Sequence, residues 1–287
     1  MDLADLQPKI FQEFHHILQA DRLSHAYLFS GNFASYEMAI FLAQSQFCEN
    51  LQDSLPCGHC RECRLIAERD FSDVKVIEPQ GNVIKTDTIR ELLRDFTRSG
   101  FEGQSQVFII RDADKMHVNA ANSLLKFIEE PQSSSYMILL TSDESKVLPT
   151  IRSRCQIFRF PKNQAYLENL LQEKGLLKSK AGLIAAVADD EALALALADM
   201  AKFDDLCRSL EKFIAGLDQA PDQAFLQVTH LVSLATDKAE QDLAFNLLLV
   251  LLGRKQVPGQ VTKVYQARQM WLSNVSFQNV LEYMVLK

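Results

Sequence analysis

No run of about 18 consecutive apolar residues occurs anywhere in the 287-residue chain, so it contains no candidate transmembrane helix. The stretch from Met1 to Lys9 lacks the basic residues and hydrophobic run of a secretory leader, and Asp2 and Asp5 stand there instead. A cytoplasmic location with no membrane partner is expected. An excess of positive charge is also missing: 30 Lys plus Arg face 37 Asp plus Glu, a formal net charge of −7. That balance disfavours an autonomous binder of bare phosphate backbone and leaves any nucleic-acid contact to a local patch shared with partners. No internal repeat is present, and no carboxylate constellation suits nucleotidyl transfer. At 47% hydrophobic and 23% charged residues, the chain is neither disordered nor fibrous, and its length predicts two or three domains.

Short apolar runs alternate with helical patterns over the first 160 or so residues. Ala26 to Ser30, Val74 to Ile77, Val107 to Ile110, Met137 to Thr141 and Ile157 to Phe160 read as strands. Between them, Met38, Phe41 and Leu42 share a helical face, as do Ile89, Leu92, Leu93 and Phe96, then Ala121, Leu124, Leu125 and Ile128. Thr88 with Glu91 has capping-box spacing, and Pro131 is the expected stop of the third helix. Near-continuous apolar strands separated by helices predict a parallel sheet covered on both faces. Beyond Pro161 the strand signals vanish. Leu183, Val187, Leu193 and Leu197, and later Phe245, Leu248, Leu249 and Leu252, keep helical spacing, so the rest is expected to be all-α. The Ala-rich stretch from Ala181 to Ala201 reads as packed helices rather than low complexity, because alanine has the best helix propensity. Gly216 to Pro221 and Lys202 to Leu206 are two candidate places for this half to divide.

A strand ending at Phe29-Ser30-Gly31 and followed by a helix from about Glu37 is where a phosphate loop would sit. A working loop reads G-x-x-x-x-G-K-[ST]: glycine lets backbone amides wrap the phosphates, lysine reaches the β and γ oxygens, and the hydroxyl holds magnesium. Gly31 keeps the first position, but Tyr36, Glu37 and Met38 occupy the other three. Tyr36 brings a bulky Cβ where the backbone conformation is expected to be unusual. Glu37 sets a negative charge against a polyanion, and Met38 offers magnesium no hard oxygen. The acidic pair expected after the third strand is Arg111-Asp112, with a cation in the magnesium-ligand position. An ordinary strand-turn-helix with no nucleotide history is the alternative on these motifs alone.

Four of the six cysteines, Cys48, Cys57, Cys60 and Cys63, cluster, while Cys155 and Cys207 stand apart. A reducing compartment argues against disulfides, so the cluster reads as metal or redox chemistry. Four soft thiolates suit tetrahedral zinc in a structural role, since no ligand position is left open for catalytic water; an iron–sulfur cluster or a redox pair competes. His59 can replace one thiolate or simply face solvent in the turn. Arg61, Arg64 and Arg69 are offset by Glu62, Glu68 and Asp70, which favours a structural staple over a nucleic-acid ribbon. Cys207 lies in an apolar helical pattern and is expected in the core.

Arg152, Arg154 and Arg159 surround the fifth strand, and taken alone they can be a solvated rim. Four motifs occur in order: Ser24 to Gly31, the cysteine cluster, Asn122 to Pro131 and Ile151 to Cys155. Together they resemble the delta prime clamp-loader family of bacterial DNA polymerase III, over roughly residues 1 to 160. The resemblance implies an α/β AAA+ module over 1–161 carrying a zinc module at about 48–63. It further implies an all-α lid domain over 162–204 and an all-α C-terminal collar domain, used for oligomerisation, over 205–287. It implies zinc at the four cysteines and no ATP bound or hydrolysed by this chain. Arg154, between Ser153 and Cys155, is implied to be an arginine finger that reaches the γ-phosphate of ATP on a neighbouring subunit. A planar, permanently charged guanidinium in that role typically contributes ~10³ to 10⁵ in rate. Ser153 is then expected to position the loop, Cys155 to pack beneath it, and Thr141-Ser142 to mark the position that senses the γ-phosphate in active relatives. The implied partners are ATP-hydrolysing and delta subunits of the loader, and through them the sliding clamp and primed DNA in a bacterial replisome. Two other functions compete: an autonomous P-loop ATPase, against which Glu37 and Arg111 speak, and a zinc-dependent nucleic-acid-binding module, which the net charge disfavours.

Overall fold

The computed structural model describes residues 3–96, 105–129, 134–255 and 258–286. It comprises two compact units, Met1–Asn163 and Gln164–Lys287. The first opens with α1 (Leu3–Leu6) and α2 (Pro8–Gln19), then alternates β1 (Ala26–Ser30), α3 (Ser35–Phe47), α4 (Arg61–Ala67), β2 (Val74–Ile77), α5 (Thr86–Phe96), β3 (Ser105–Ile110), α6 (Val118–Glu129), β4 (Ser134–Thr141), α7 (Pro149–Arg152) and β5 (Gln156–Arg159). The five strands form one parallel sheet in the order β2-β3-β4-β1-β5.

All five expected strands are present, with both faces of the sheet covered. Because side chains alternate along a strand, Tyr27, Phe29, Val107, Ile109 and Phe158 meet Phe14 of α2, Met38 and Leu42 of α3 and Ile66 of α4 on one face. Leu28, Phe108, Ile110 and Leu139 meet Ile89 and Leu92 of α5 and Ala121, Leu124 and Ile128 of α6 on the other. Phe14 stacks on Phe158 with centroids 4.3 Å apart. Strands β3 and β4 start earlier than their apolar runs, at Ser105 and Ser134, because the ladder is made by backbone groups and continues through polar residues. The capping box does not form. The Ile84 N–H donates to Lys115 O and its carbonyl accepts from His117 N, which pins the chain just before α5, and the helix begins at Thr86 with Thr88 already inside its first turn. The expected stop at Pro131, with Glu130 before it, lies outside the described residues.

The second unit is all-helical: α8 (Gln164–Glu173), α9 (Lys178–Val187), α10 (Glu191–Asp199), α11 (Phe203–Gln219), α12 (Pro221–Leu234), α13 (Lys238–Lys255), α14 (Pro258–Leu272) and α15 (Phe277–Leu286). Helix α11 packs on α12 and α13, α13 also packs on α9, and α15 packs on α12 and α14. Val187 and Leu197 are buried as expected, but Leu193 is 41% exposed and belongs to the surface of α10. Phe245 lies 5.5 Å from the ring of Trp271 and 5.5 Å from Phe277, and the Trp271 indole donates to Gln241 Oε1 at 2.8 Å. A Cβ at Gly216 would sit 2.8 Å from the Ala224 backbone nitrogen, so this glycine is what lets α11 and α12 come so close. Asp237 and Glu240 cap the start of α13: Asp237 accepts from Glu240 N at 2.9 Å, and Glu240 reaches back to Thr236 N at 2.8 Å. Lys202 completes this corner with an ion pair to Glu240, whose carboxyl it pulls down to about 2. The division between the units falls after Asn163, slightly beyond the expected boundary at Pro161, and the boundary expected at 204/205 falls just inside α11.

Candidate functional site

The C-terminal ends of the parallel strands carry most of the residues singled out above. Gly31 leaves β1 with φ 107 and donates its N–H to Thr141 O at 2.8 Å, and a Cβ there would lie 2.2 Å from Phe160 O. Only glycine meets both demands. The following loop is filled by the protein itself: Phe33 is buried, and the buried Gln7 amide donates to Phe33 O at 2.9 Å and Pro161 O at 2.7 Å. The left-handed residue is Ala34, with φ 62, and α3 starts at Ser35. Tyr36 therefore has ordinary helical backbone, and the strain expected there falls on Ala34 instead. Met38 is fully buried against the sheet, while Glu37 is exposed.

The ring of Tyr36 carries two guanidiniums, Arg111 at 4.7 Å and Arg69 at 5.0 Å from its centroid. Both arginines also pair with one carboxylate oxygen, Glu78 Oε1, at 2.6 Å from Arg111 Nη1 and 2.8 Å from Arg69 Nη1. Arg111 above all, then Arg69, holds the Glu78 carboxyl below its ordinary range. The fold thus joins the altered residue of the loop, Tyr36, to the altered residue at the end of β3, Arg111, through Arg69 and Glu78, two partners that motif spacing did not single out. Glu78 follows β2, which pairs in register with β3, so its reach to Arg111 follows from strand adjacency. Asp112 is tied to Lys115 at 3.1 Å, and Thr141 Oγ1 donates to Asp114 Oδ1 at 2.7 Å.

Arg154 lies on the chain between α7 and β5. The expected turn at Pro149-Thr150 is a one-turn helix, since proline at the first helical position is compatible with α geometry. Ser153 Oγ donates to Thr150 O at 3.1 Å, and Cys155 packs against the core beneath α5 and α6, where burial pushes its thiol up to about 12. Arg154 donates from Nε to Glu129 Oε1 at 2.6 Å and from Nη1 to Thr150 O at 2.9 Å. The three arginines here are not an undifferentiated rim. Arg159 is paired twice with Glu144, at 3.1 and 2.7 Å, and Arg152 has its Nε buried. Glu129, the last residue of α6, is a partner that sequence spacing alone did not single out.

The four clustered cysteines converge, with all sulfurs within 4.8 Å of one another. Cys48 caps the end of α3 and Cys60 caps the start of α4. Backbone N–H groups of Cys57, Cys60 and Cys63 donate to the sulfurs of Cys48, Cys57 and Cys60 at 3.3, 3.3 and 3.4 Å. Such donors favour thiolates, and four soft ligands at this spacing fit a tetrahedral metal. The backbone N–H of His59 helps draw the Cys57 thiol down to about 6, whereas burial raises that of Cys63. The His59 ring is exposed and hydrogen-bonded to Cys57 O at 2.7 Å, outside the sulfur cluster. The loop is tied to α2 through Asp53, which pairs with His15 and accepts from Gln19 at 2.9 Å. Cys207 is buried in the second unit, its thiol raised to about 12.

A five-stranded parallel sheet ordered β2-β3-β4-β1-β5, with a loop-to-helix turn after β1 and a helical unit following it along the chain, defines an AAA+ module. Among the described residues no helix is long and apolar enough to cross a membrane. The family model described as DNA polymerase III, delta subunit, matches residues 6–164. The DNA polymerase III subunit delta' of Bacillus subtilis (strain 168) is 30% identical over 99% of this chain and 97% of its own length. That of Pseudomonas aeruginosa is 34% identical over 46% of this chain and 42% of its own length. A Thermotoga maritima protein described as DNA polymerase III, gamma subunit-related, shares the fold, with a TM-score of 0.54 at 18% identity over 96% of this chain and 97% of that one. This chain belongs to the delta prime family of DNA polymerase III.

Proposed function

We propose that the chain is a non-hydrolysing subunit of a clamp loader that helps place a ring-shaped sliding clamp on primed DNA. In this reading it assembles with ATP-hydrolysing and delta subunits in the bacterial cytoplasm, at the replisome. The observation that carries the non-hydrolysing half is the Tyr36–Arg111–Arg69–Glu78 cluster, in which the chain's own side chains engage one another across the loop and strand end that would bind magnesium and phosphate. Arg154 is the trans-acting finger, with Ser153 and Cys155 fixing its loop. Thr141 has no γ-phosphate to read and serves instead as a tie to Asp114. Supplying the cation from a second chain makes hydrolysis conditional on correct assembly, so a subunit without ATP chemistry is still required for turnover.

Cys48, Cys57, Cys60 and Cys63 hold a structural zinc, which when bound fastens the loop between α3 and α4 and leaves no coordination position for substrate. The second unit divides near the start of α11 into a small lid and a C-terminal collar that carries the oligomerisation surface. The decisive experiment is clamp- and primed-DNA-stimulated ATP turnover by the loader reconstituted with its ATP-competent subunits, comparing wild type with Arg154→Ala and checking assembly by gel filtration. A large loss with assembly intact supports the finger. Unchanged turnover removes it and leaves a scaffold.

A further inference from the structure

The guanidinium of Arg154 is held on two sides by its own chain. Nε donates to Glu129 Oε1 at 2.6 Å, Nη2 is also paired with that oxygen, and Nη1 donates to Thr150 O at 2.9 Å. Arginine has five N–H donors in a planar fork, so these contacts leave one donor on each terminal nitrogen, with only the long 3.4 Å approach of Ser153 Oγ to Nη1 competing. The held donors fix the plane and direction of the side chain, and apart from that long approach the remaining two have no partner among the described residues. Arg154 is 36% exposed. The clasp is built from two helix ends, Glu129 closing α6 and Thr150 within the single turn of α7, and the end of a helix such as α6 favours a cation electrostatically.

We infer that Glu129 is a positioning residue for the finger: it holds the Nε edge of Arg154 so that the two remaining donors are presented on a fixed side chain to a phosphate group on the neighbouring subunit. This rests on the trans-finger reading and adds to it the residue that aims the finger. Both side chains are partly exposed, so the pair adds little to stability and its effect is directional. A flexible arginine that must find its orientation during the reaction gives up part of the advantage of a preorganised cation.

The test uses the reconstituted loader with Glu129→Ala, Glu129→Gln, Arg154→Ala and the double variant Glu129→Ala/Arg154→Ala, each checked for assembly and for unchanged thermal unfolding. Glu129→Ala is expected to lower kcat about 10-fold with KM for ATP unchanged, and Glu129→Gln, which keeps an acceptor oxygen, to recover most of it. The double variant is expected to be no worse than Arg154→Ala, because there is no finger left to aim. Full activity of Glu129→Ala beside a crippled Arg154→Ala would overturn the positioning role and leave the finger standing. An equal loss from Glu129→Ala with and without Arg154 would mark Glu129 as structural and also overturn it. Unchanged turnover in Arg154→Ala would remove the finger and the positioning role together.

Discussion

Two corners of the first unit each hold an arginine against a glutamate, and their exposures are nearly equal, 41% for Arg111 and 36% for Arg154. Accessibility therefore does not separate them; their surroundings do. Arg111 shares its carboxylate with Arg69 and lies over the ring of Tyr36, so it belongs to a four-residue cluster of the chain's own side chains. Arg154 is gripped along one edge by a carboxylate that serves no other arginine among the described contacts. One corner is closed upon itself by the chain's own groups; in the proposed reading the other serves a neighbouring subunit. The same residue type thus sits in two different settings, one sharing a carboxylate and an aromatic ring with a second arginine, the other holding a carboxylate of its own.

The largest expected effect separates the corners by activity. Arg154→Ala should reduce turnover of the assembled loader by roughly 10³-fold or more, and Arg154→Lys should not restore it, since an ammonium lacks the planar fork; Arg111→Ala should change turnover less than about 2-fold. Removing metal with a chelator should act on the closed corner next, because α4, which carries Cys63, leads directly to Arg69. A fall in Tm of about 4 °C or more, with one equivalent of zinc released by elemental analysis and faster thiol modification at the four cysteines, is the expected result; a metal-free protein with unchanged Tm would refute the staple. Gly31→Ala should lower stability by about 1–3 kcal/mol in urea titration, given the left-handed backbone and the contact with Phe160 O.

The smallest effect is pH-dependent. The Glu78 carboxyl titrates below its unfolded value, so its pairing stabilises the fold above the ordinary range near about pH 4.3 and is lost as pH falls further. The stability difference between wild type and Glu78→Gln should be below about 1 kcal/mol at neutral pH, because Glu78 is 44% exposed, and should shrink on acidification. A gap that widened in acid would mean that the cluster does not depend on the ionised carboxylate.

Much of this was legible in the sequence wherever the signal is local or periodic. The five strands stood out because sheet burial on both faces demands unbroken apolar runs, and the cysteine cluster because three of its four cysteines fall within one turn and the start of α4. The defects at Tyr36, Glu37, Met38 and Arg111 could be counted against a fixed motif. What closes the loop could not, since Arg69 and Glu78 reach Tyr36 and Arg111 only through the pairing of β2 with β3 and the placement of α4. The same holds for Glu129, which lies 25 residues from Arg154 along the chain. The start of α5 departs from its capping-box pattern because a tertiary bridge at Ile84 and Met116 sets where the helix begins, overriding a local signal of the right spacing.

The chain has a single tryptophan, Trp271, and it is seated among Phe245 and Gln241 in the second unit. Emission excited selectively at its red edge therefore reports on the α13–α14 contact alone, while circular dichroism registers both units. Recording the two signals through one denaturation gives each unit its own unfolding curve without an added label. A chelator that shifts the dichroic transition and leaves the fluorescence midpoint in place would locate the metal's stabilising effect in the first unit.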